Sequence, residues 1–314
     1  TLRKDLETDG RHAKVEYIDN WQLDSERRDF TINAIYLDIN GNIFDPQNGK
    51  SDLKNKIVKF IGDPQKRIEE DYLRIIRFIR FKIMYDFELE PTTCKAIKLN
   101  LNGVNKLSKE RILAELYKIL NLKNFLNLNE STDLKEIFTL IFPEFKNLRR
   151  LDRLIKICDY SRVSMNLLFA ILLIDDQNTH EYFGHKYNIS NNIKDNLNSL
   201  AKNIQLIKEN KSFFKKDLEK NIYLNNKNYL INLNILNFVI NPSIKLKDFS
   251  EILSKILKSK THKFNIDGRY LIENGMKQGS LVGKALKEIE EEWIKNNFQI
   301  TQERVKEIIR SYSN

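Results

Sequence analysis

An acidic residue followed by arginines at every third position stands near position 70 of the chain. Residues three apart on an α-helix lie close in azimuth, so this acid and its arginines are predicted to share one side of a helix. These residues are Asp71, Arg74, Arg77 and Arg80. A carboxylate accepts hydrogen bonds and a guanidinium donates them, so the strip could read a nucleotide base and hold phosphates. The alternative is a set of structural salt bridges that Glu69, Glu70 and Asp71 form with Arg74 and Arg77.

A second group with chemical potential is the adjacent pair Arg27 and Arg28. One helix is predicted from Asp24 to Ala34, with both arginines near its N-terminus, where the helix dipole favours anions. Asn33 on the same segment could orient backbone or ligand groups. Alternatively the two arginines lie on a solvated or salt-bridged face, which is the commoner role for such a pair.

The predicted secondary structure that positions these residues changes from mixed and β-rich to helical near residue 63. Before it the pattern is mixed and β-rich, and Asn40-Gly41 between two apolar segments predicts a hairpin. From there on the pattern is helical. Asp63-Pro64 is typical of an N-cap followed by proline at the first helical position, and one helix is predicted from Asp63 to about Asp86.

Further helices are predicted downstream. Pro91 and Ser108 are each predicted to begin one, and Arg111 and Glu115 stand at salt-bridge spacing on the second of them. The segment near residues 208–230 is rich in Asn and Lys and is predicted to form loops.

The composition favours helices and a polyanionic partner. Five prolines and ten glycines in 314 residues are too few for a turn-rich all-β fold. Lys and Arg exceed Asp and Glu by 53 to 43, and residues 1–50 hold seven basic and ten acidic residues, so the remainder carries a net charge of +13. This charge suits RNA, or it reflects only a compositional bias of the source.

No membrane contact or disulfide framework is predicted. The longest apolar run, residues 167–174, is far shorter than a membrane span. Cys94 and Cys158 form no C-x-x-C pair and are predicted to be ordinary reduced thiols. We therefore predict a cytoplasmic location.

Four motifs occur in a fixed order along the chain. They are Arg28-Asp29-Phe30-Thr31-Ile32-Asn33-Ala34, Asp45-Pro46…Gly49…Asp52-Leu53, Glu70-Asp71…Arg74…Arg77…Arg80-Phe81 and Ser108-Lys109-Glu110-Arg111…Glu115. In this order they resemble the class II tRNA nucleotidyltransferases, which include the bacterial CCA-adding enzymes and poly(A) polymerases. The resemblance covers the chain nearly end to end.

The resemblance implies an α+β fold. It would be an N-terminal remnant of a polymerase-β-like nucleotidyltransferase head, with a mixed sheet plus helices, followed by a mostly α-helical neck, body and tail. The expected divisions are residues 1–60 for the head, 61–122 for a neck with the nucleotide-selecting helix, 123–240 for the body and 241–314 for a tRNA-binding tail.

The resemblance also implies roles for individual residues. Asp71 and Arg74 would select the incoming base, and Arg28, Arg77 and Arg80 would contact its sugar and phosphates. The supporting motif residues would be Arg27, Asp29, Asn33, Asp45, Gly49, Asp52, Glu70, Arg111 and Glu115. The segment Asp45–Asp52 would have a structural or hinge-like role, and Arg111 and Glu115 would be supports in the neck.

The implied reaction is addition of CCA, or part of it, to tRNA 3′ ends from CTP and ATP, with Mg²⁺ and no protein partner. The family holds its metal with an Asp-x-Asp pair, and this sequence contains no Asp-x-Asp. We therefore expect no catalytic or metal-binding residue here, and expect the ligands in an N-terminal segment missing from the chain. Without that segment this exact chain is expected to be inactive, although it belongs to an enzyme. The alternatives are a poly(A) polymerase of the same family and a catalytically inactive RNA-binding fragment.

Overall fold

The computed structural model describes residues 2–8, 13–88, 90–210 and 212–313, in two compact units. The first unit ends at Lys202 and the second begins at Asn203. The first unit opens with two small antiparallel sheets of two strands each, β1 (Arg3–Thr8) with β2 (Ala13–Tyr17), and β3 (Tyr36–Leu37) with β4 (Ile43–Phe44). The remaining elements are helical, so the α+β expectation of a small head followed by helices is confirmed.

The α-helices that begin in the first unit include short ones in the head and longer ones after residue 63. They are α1 (Trp21–Glu26), α2 (Gly49–Lys54), α3 (Pro64–Glu70), α4 (Leu73–Tyr85), α5 (Pro91–Asn100), α6 (Lys109–Leu120), α7 (Thr132–Ile141), α8 (Leu151–Leu154), α9 (Met165–Leu173), α10 (Thr179–Lys186) and α11 (Asn191–Glu209). Short 3-10 turns connect several of them, among them Thr31–Asn33 and Leu101–Lys106.

The second unit is helical throughout its described elements. These are α12 (Leu218–Asn225), α13 (Lys227–Ile240), α14 (Leu246–Lys258), α15 (Gly268–Glu273), α16 (Ser280–Lys295) and α17 (Gln302–Ser313). The prediction of loops across residues 208–230 is therefore wrong for α12 and for the start of α13. Tertiary contacts support these Asn-rich helices: Leu230 and Leu233 of α13 are fully buried, and Asn234 donates to the main-chain oxygen of Phe249 in α14.

Several local predictions are confirmed. The strands β3 and β4 pair antiparallel across Asn40-Gly41, with Gly41 at φ 86°, which the turn requires. Asp63 caps α3 by accepting a hydrogen bond of 2.8 Å from the main-chain nitrogen of Lys66. Helices also begin after Glu90 and Ser108 as predicted.

The predicted continuous helix from Asp63 to Asp86 is wrong. The chain leaves helical conformation at Asp71 (φ −155°, ψ 106°), which separates α3 from α4. The Asp71 carboxylate accepts a hydrogen bond of 3.1 Å from the main-chain nitrogen of Leu73, and such local bonds compete with helix continuation. Tyr72 then packs against Gly103 so closely that a Cβ there would lie 2.0 Å from its ring. The acid and the arginines therefore do not form one helical strip.

The predicted helix from Asp24 to Ala34 is also wrong. Helix α1 begins earlier, at Trp21, because the Asn20 side chain caps it by accepting from the main-chain nitrogen of Leu23. It ends at Glu26, so Arg27 and Arg28 follow its C-terminal end instead of lying near an N-terminus. The next residues pair with a distant segment, since Phe30 and Phe60 form an antiparallel bridge.

A cluster of aromatic rings joins the head segment to α4. Phe30 lies 4.8 Å from Phe60 and 5.2 Å from Phe81 between ring centroids, and Phe60 stacks on Phe78. Burying each of these rings stabilises the fold by roughly 1.5–3 kcal/mol. The cluster fixes the residues on either side of Phe30 against the helix that carries Arg74 and Arg77.

Candidate functional site

Asp29 is the centre of a group of charged side chains contributed by three segments. Its Oδ1 accepts a hydrogen bond of 3.0 Å from Nε of Arg74, and its Oδ2 lies 2.5 Å from Nε of Arg77 in an ion pair without hydrogen-bond alignment. The Asp29 and Arg74 side chains are 14% and 12% exposed, so this pairing is largely shielded from water. Glu70, which is half exposed, holds Nη1 of Arg74 at 2.5 Å.

Arg67 connects this group to the double arginine and was not anticipated from the sequence. Its Nη2 donates to the main-chain oxygen of Arg28 at 2.6 Å, and its Nη1 pairs with Glu70 at 2.6 Å. Burial lowers the pKa of Arg67, and the positive charge of Arg74 lowers it further. The signal in the sequence was its position three residues before Glu70 on one helical face. We name Arg28, Asp29, Arg67, Glu70, Arg74 and Arg77 the arginine cluster.

Arg27 and Arg28 both bind the fully buried carboxylate of Asp24. The nearest contacts are 2.5 Å from Arg27 and 3.0 Å from Arg28, and the Tyr36 hydroxyl donates to the same carboxylate at 2.8 Å. Burial by itself raises the pKa of Asp24, but the hydrogen bonds around it outweigh burial and hold that pKa well below its usual range. Burial and the bond to Asp24 raise the pKa of Tyr36 to about 12.

Asp71 forms its ion pair with Arg111, whereas the sequence spacing predicts Arg74 as its neighbour. Its Oδ2 accepts a hydrogen bond of 2.7 Å from Nη2 of Arg111 in α6, with both side chains about one-fifth to one-quarter exposed. The hydrogen bond described between Asp71 and Arg74 is a main-chain one, in which Arg74 N donates to Asp71 O at 3.0 Å, and no ion pair joins their described side chains. Arg111 is thus brought to the site as a direct partner of Asp71.

Arg80 lies apart from the arginine cluster. Its Nε donates to Glu115 of α6 at 2.7 Å, and its guanidinium lies 4.6 Å from the centre of the Phe81 ring. Glu115 also pairs with Lys118 and is almost fully buried. The salt bridge suggested by the spacing of Arg111 and Glu115 does not form, because each reaches a residue outside α6.

The remaining motif residues fix the backbone near the cluster. Asp45 caps α2 by accepting from the main-chain nitrogens of Gly49 and Lys50 at 2.7 and 2.9 Å. Asp52 accepts a hydrogen bond of 2.6 Å from the Thr31 hydroxyl. A Cβ at Gly49 would lie 2.2 Å from the main-chain oxygen of Thr31, so only glycine allows this approach. Asn33 accepts from the main-chain nitrogen of Phe30.

The arrangement leaves hydrogen-bonding capacity on two neighbouring side chains. Asp71 uses each carboxylate oxygen once, and a carboxylate has about four acceptor sites. Arg74 uses Nε and Nη1, while its Nη2 has no hydrogen-bond partner among the described residues. Acceptor sites on Asp71 and donors on Arg74 are therefore left unused by the described residues.

The described residues do not provide a site for the Mg²⁺ that the motif order implies. In residues 2–8, 13–88, 90–210 and 212–313, no three His, Cys, Asp or Glu side chains come together as metal ligands. Mg²⁺ prefers oxygen ligands from more than one group, and each carboxylate of the cluster is already paired with arginine. Over the same residues, no helix has the length and apolar character needed to cross a membrane.

Two family models match the chain in succession. Residues 1–59 match the poly(A) polymerase head domain, and residues 86–149 match the probable RNA and SrmB-binding site of polymerase A. Arg28 and Asp29 thus lie near the middle of the first match, and the other members of the arginine cluster lie with Asp71 between the two matches.

Known proteins similar over most of the chain carry consistent names. The human mitochondrial CCA tRNA nucleotidyltransferase 1 is 30% identical, over 99% of this chain and 71% of the relative. The CCA-adding enzyme of Lactobacillus helveticus is 29% identical, over 88% of this chain and 69% of the relative. The crystal structure of the Bacillus stearothermophilus CCA-adding enzyme with CTP shares the fold, with a TM-score of 0.69 and 21% identity over 99% of this chain and 77% of that one. The chain therefore belongs to the CCA tRNA nucleotidyltransferase family, a nucleotidyltransferase family within the poly(A) polymerase group.

Proposed function

We propose that this protein serves the addition of CCA, or part of it, to tRNA 3′ ends, with CTP and ATP as nucleotide donors. One observation carries the proposal: Asp71 and Arg74 each keep hydrogen-bonding groups that no described residue uses. The Asp71 carboxylate is held by Arg111, and the Arg74 guanidinium is held by Asp29. Family membership supports the reaction, and the names of the relatives support tRNA as the acceptor. The cytoplasmic location stays a prediction, since the human relative is mitochondrial.

Base selection follows from which groups donate and which accept. Cytosine and adenine each present an amino donor beside a ring-nitrogen acceptor, which match an Asp71 oxygen and Nη2 of Arg74. Uracil and guanine present a carbonyl beside an N–H, which would leave both protein groups unpaired. Each buried unpaired polar group costs about 1–3 kcal/mol, more when it is charged. One pair of side chains would thus accept C and A and reject U and G.

The phosphate side of the proposed site is supplied by arginines. Arg28 and Arg77 belong to the arginine cluster, and their side chains are about one-third exposed. Guanidinium groups suit phosphate oxygens because they donate in a planar fork. Arg80 stays a predicted contact, and its ion pair with Glu115 would have to open for it to reach a nucleotide.

The transfer step itself is not assigned to residues of this chain. When bound in such enzymes, Mg²⁺ supplies charge stabilisation at the triphosphate and activates the attacking hydroxyl. The carboxylates of the arginine cluster do not fit that role, since both are paired with arginine and no three metal-ligating side chains come together among the described residues. Mg²⁺ dependence is therefore part of the proposal for the reaction, while the residues above bind and select.

A transfer assay tests the proposal. The whole gene product is supplied with Mg²⁺, CTP, ATP and three tRNAs that lack CCA, CA or A at the 3′ end. Two C additions followed by one A, each dependent on the preceding end, would support CCA addition. Incorporation of ATP alone on any RNA would instead identify a poly(A) polymerase, and addition of C without A would identify a partial-CCA enzyme.

A second candidate function is RNA binding without nucleotidyl transfer. It is favoured by the lack of an Asp-x-Asp in the sequence and of a carboxylate cluster among the described residues. It predicts that tRNA and CTP bind while no pyrophosphate is released in the same assay.

Arg111→Ala is expected to weaken CTP and ATP binding about tenfold, because Asp71 loses the partner that holds its carboxylate at 2.7 Å. Isothermal titration with each nucleotide measures the effect. Lys109→Ala is the control, since Lys109 is exposed on the same helix. Equal affinities in the wild-type chain and Arg111→Ala would show that Asp71 needs no positioning by Arg111.

A further inference from the structure

The aromatic ring of Tyr72 lies directly against the backbone of Gly103. Tyr72 follows Asp71 in the chain and precedes the first residue of α4, and Gly103 belongs to the 3-10 turn Leu101–Lys106. A Cβ added at Gly103 would overlap the Tyr72 ring, so only glycine fits while the ring keeps its position. The backbone of Gly103 is not left-handed, so glycine is required here for space and not for its conformation.

A second contact from the same turn holds the ring. The Nζ of Lys106 lies 5.5 Å from the centre of the Tyr72 ring, which is within the range of a cation–π interaction. Residues three apart in a 3-10 helix lie on the same side, so Gly103 and Lys106 present a bare backbone surface and a positive charge on one face of the turn. This face receives the ring and fixes the position of Tyr72.

Fixing Tyr72 limits where the Asp71 carboxylate can lie. Asp71 is extended (φ −155°, ψ 106°), whereas Tyr72 is already helical (φ −62°, ψ −15°), so a single residue makes the turn between α3 and α4. One residue has only two soft backbone dihedral angles, and anchoring the residue that follows restricts them. Without that anchor, the partly exposed carboxylate would be held only by its described bonds to the Leu73 main chain and to Arg111.

One continuous segment contacts both Asp71 and Tyr72. The 3-10 turn Leu101–Lys106 receives the Tyr72 ring, and α6, which begins shortly after it, carries Arg111 to the Asp71 carboxylate. A displaced ring would therefore shift Asp71 relative to Arg111. We infer that the contact between Tyr72 and Gly103 positions Asp71 for base selection, which makes both of them positioning residues. This inference rests on the proposed function, because it takes Asp71 as the residue that reads the base.

A purely structural role for this contact predicts a different result. If the contact only stabilises the start of α4, its removal lowers the free energy of unfolding without changing which base the folded protein prefers. The ratio of CTP to UTP affinity separates the two roles, because unfolded protein binds neither nucleotide and does not enter the ratio. Urea denaturation of each variant reports the change in stability.

The test compares variants of the whole gene product by competition binding of CTP and UTP. Gly103→Ala forces the ring away, Tyr72→Ala removes it, and a double variant combines the two changes. Tyr72→Phe is the conservative variant, because it retains the ring. Gly184→Ala is the matched control, since Gly184 is another buried glycine of the first unit and an added Cβ there would lie 3.4 Å from the Lys194 side chain, an ordinary contact.

Gly103→Ala and Tyr72→Ala are each expected to lower the ratio of CTP to UTP affinity about tenfold, the effect of one lost hydrogen bond to a charged group. Tyr72→Phe and Gly184→Ala should keep the wild-type ratio. The double variant should match Tyr72→Ala, because the added Cβ has no ring to displace and changes that act through one contact are not additive.

The two Tyr72 variants decide the question even where Gly103→Ala does not fold. An unchanged ratio in Tyr72→Ala, or equal losses in Tyr72→Ala and Tyr72→Phe, would overturn the inference while leaving the proposed function intact. A wild-type protein that binds CTP and UTP equally well would overturn both.

Discussion

Replacing Asp71 by alanine is expected to remove most of the discrimination of CTP and ATP against UTP and GTP. The variant loses the acceptor that pairs with the amino group of cytosine or adenine. It also loses the carboxylate that would repel the carbonyl oxygen of uracil or guanine. Since one buried unpaired polar group costs about 1–3 kcal/mol, the ratio of CTP to UTP affinity should fall by roughly ten- to hundredfold. Competition binding with the four nucleotides measures the ratio directly.

Two further variants make this result specific. Glu69→Ala removes an exposed acid whose side chain, within the part of the chain that the structure describes, bonds only to Gln65, so selectivity should remain at the wild-type level. Asp71→Asn keeps the size of the side chain but adds an amide donor, so UTP binding should improve relative to Asp71→Ala. Unchanged CTP to UTP ratios in both Asp71 variants would show that the base is read elsewhere.

Replacing Asp24 by asparagine is expected to destabilise the first unit by about 3 kcal/mol at neutral pH. The wild-type carboxylate is fully buried and binds Arg27, Arg28 and Tyr36 at once. Removing one member of a buried charge pair costs about 3–5 kcal/mol, and the lower end applies because both arginines are partly exposed. Urea denaturation followed by a probe in the first unit measures the loss.

The effect of Asp24→Asn should depend on pH in one direction. The folded state holds the pKa of Asp24 well below its usual range, so the charged carboxylate stabilises the fold above about pH 4, the unfolded pKa. That contribution disappears as pH falls further, so the difference between wild type and Asp24→Asn should be constant near neutrality and shrink in acid. Asp19→Asn is the matched control, because Asp19 is exposed on the same segment. A difference that grows as pH falls would contradict the assignment.

The sequence alone was sufficient to predict turns and helix caps, because these depend on residues that are close together in the chain. The hairpin across Asn40-Gly41 and the cap at Asp63 follow from turn and capping preferences that need no distant contact. The order of four motifs was sufficient for the family, because each motif carries several residue types at fixed spacing. The identity of the cluster residues Arg28, Arg74 and Arg77 was also accessible in this way, although their roles stay predictions.

The pairings within the site could not be predicted, because they join residues far apart in sequence. Helical spacing suggested Asp71 with Arg74 and Arg111 with Glu115, yet the pairs formed are Asp71 with Arg111 and Arg80 with Glu115. The first mismatch follows from the break at Asp71, after which its carboxylate contacts Arg111 of α6. Helical periodicity in a sequence predicts which face of a helix a residue occupies. It does not predict which residue tertiary packing brings into contact with that face.

The contact between Gly49 and the main-chain oxygen of Thr31 holds helix α2 directly against the Thr31–Asn33 turn. The two backbones touch without an intervening side chain, and the Asp52–Thr31 bond holds them from a second point. Helix α2 and the Thr31–Asn33 turn should therefore move as one rigid body that also carries Arg28, whose guanidinium donates to the main-chain oxygen of Asn33. We therefore expect the segment Asp45–Asp52 to move with this body, which favours a structural role over a hinge-like one.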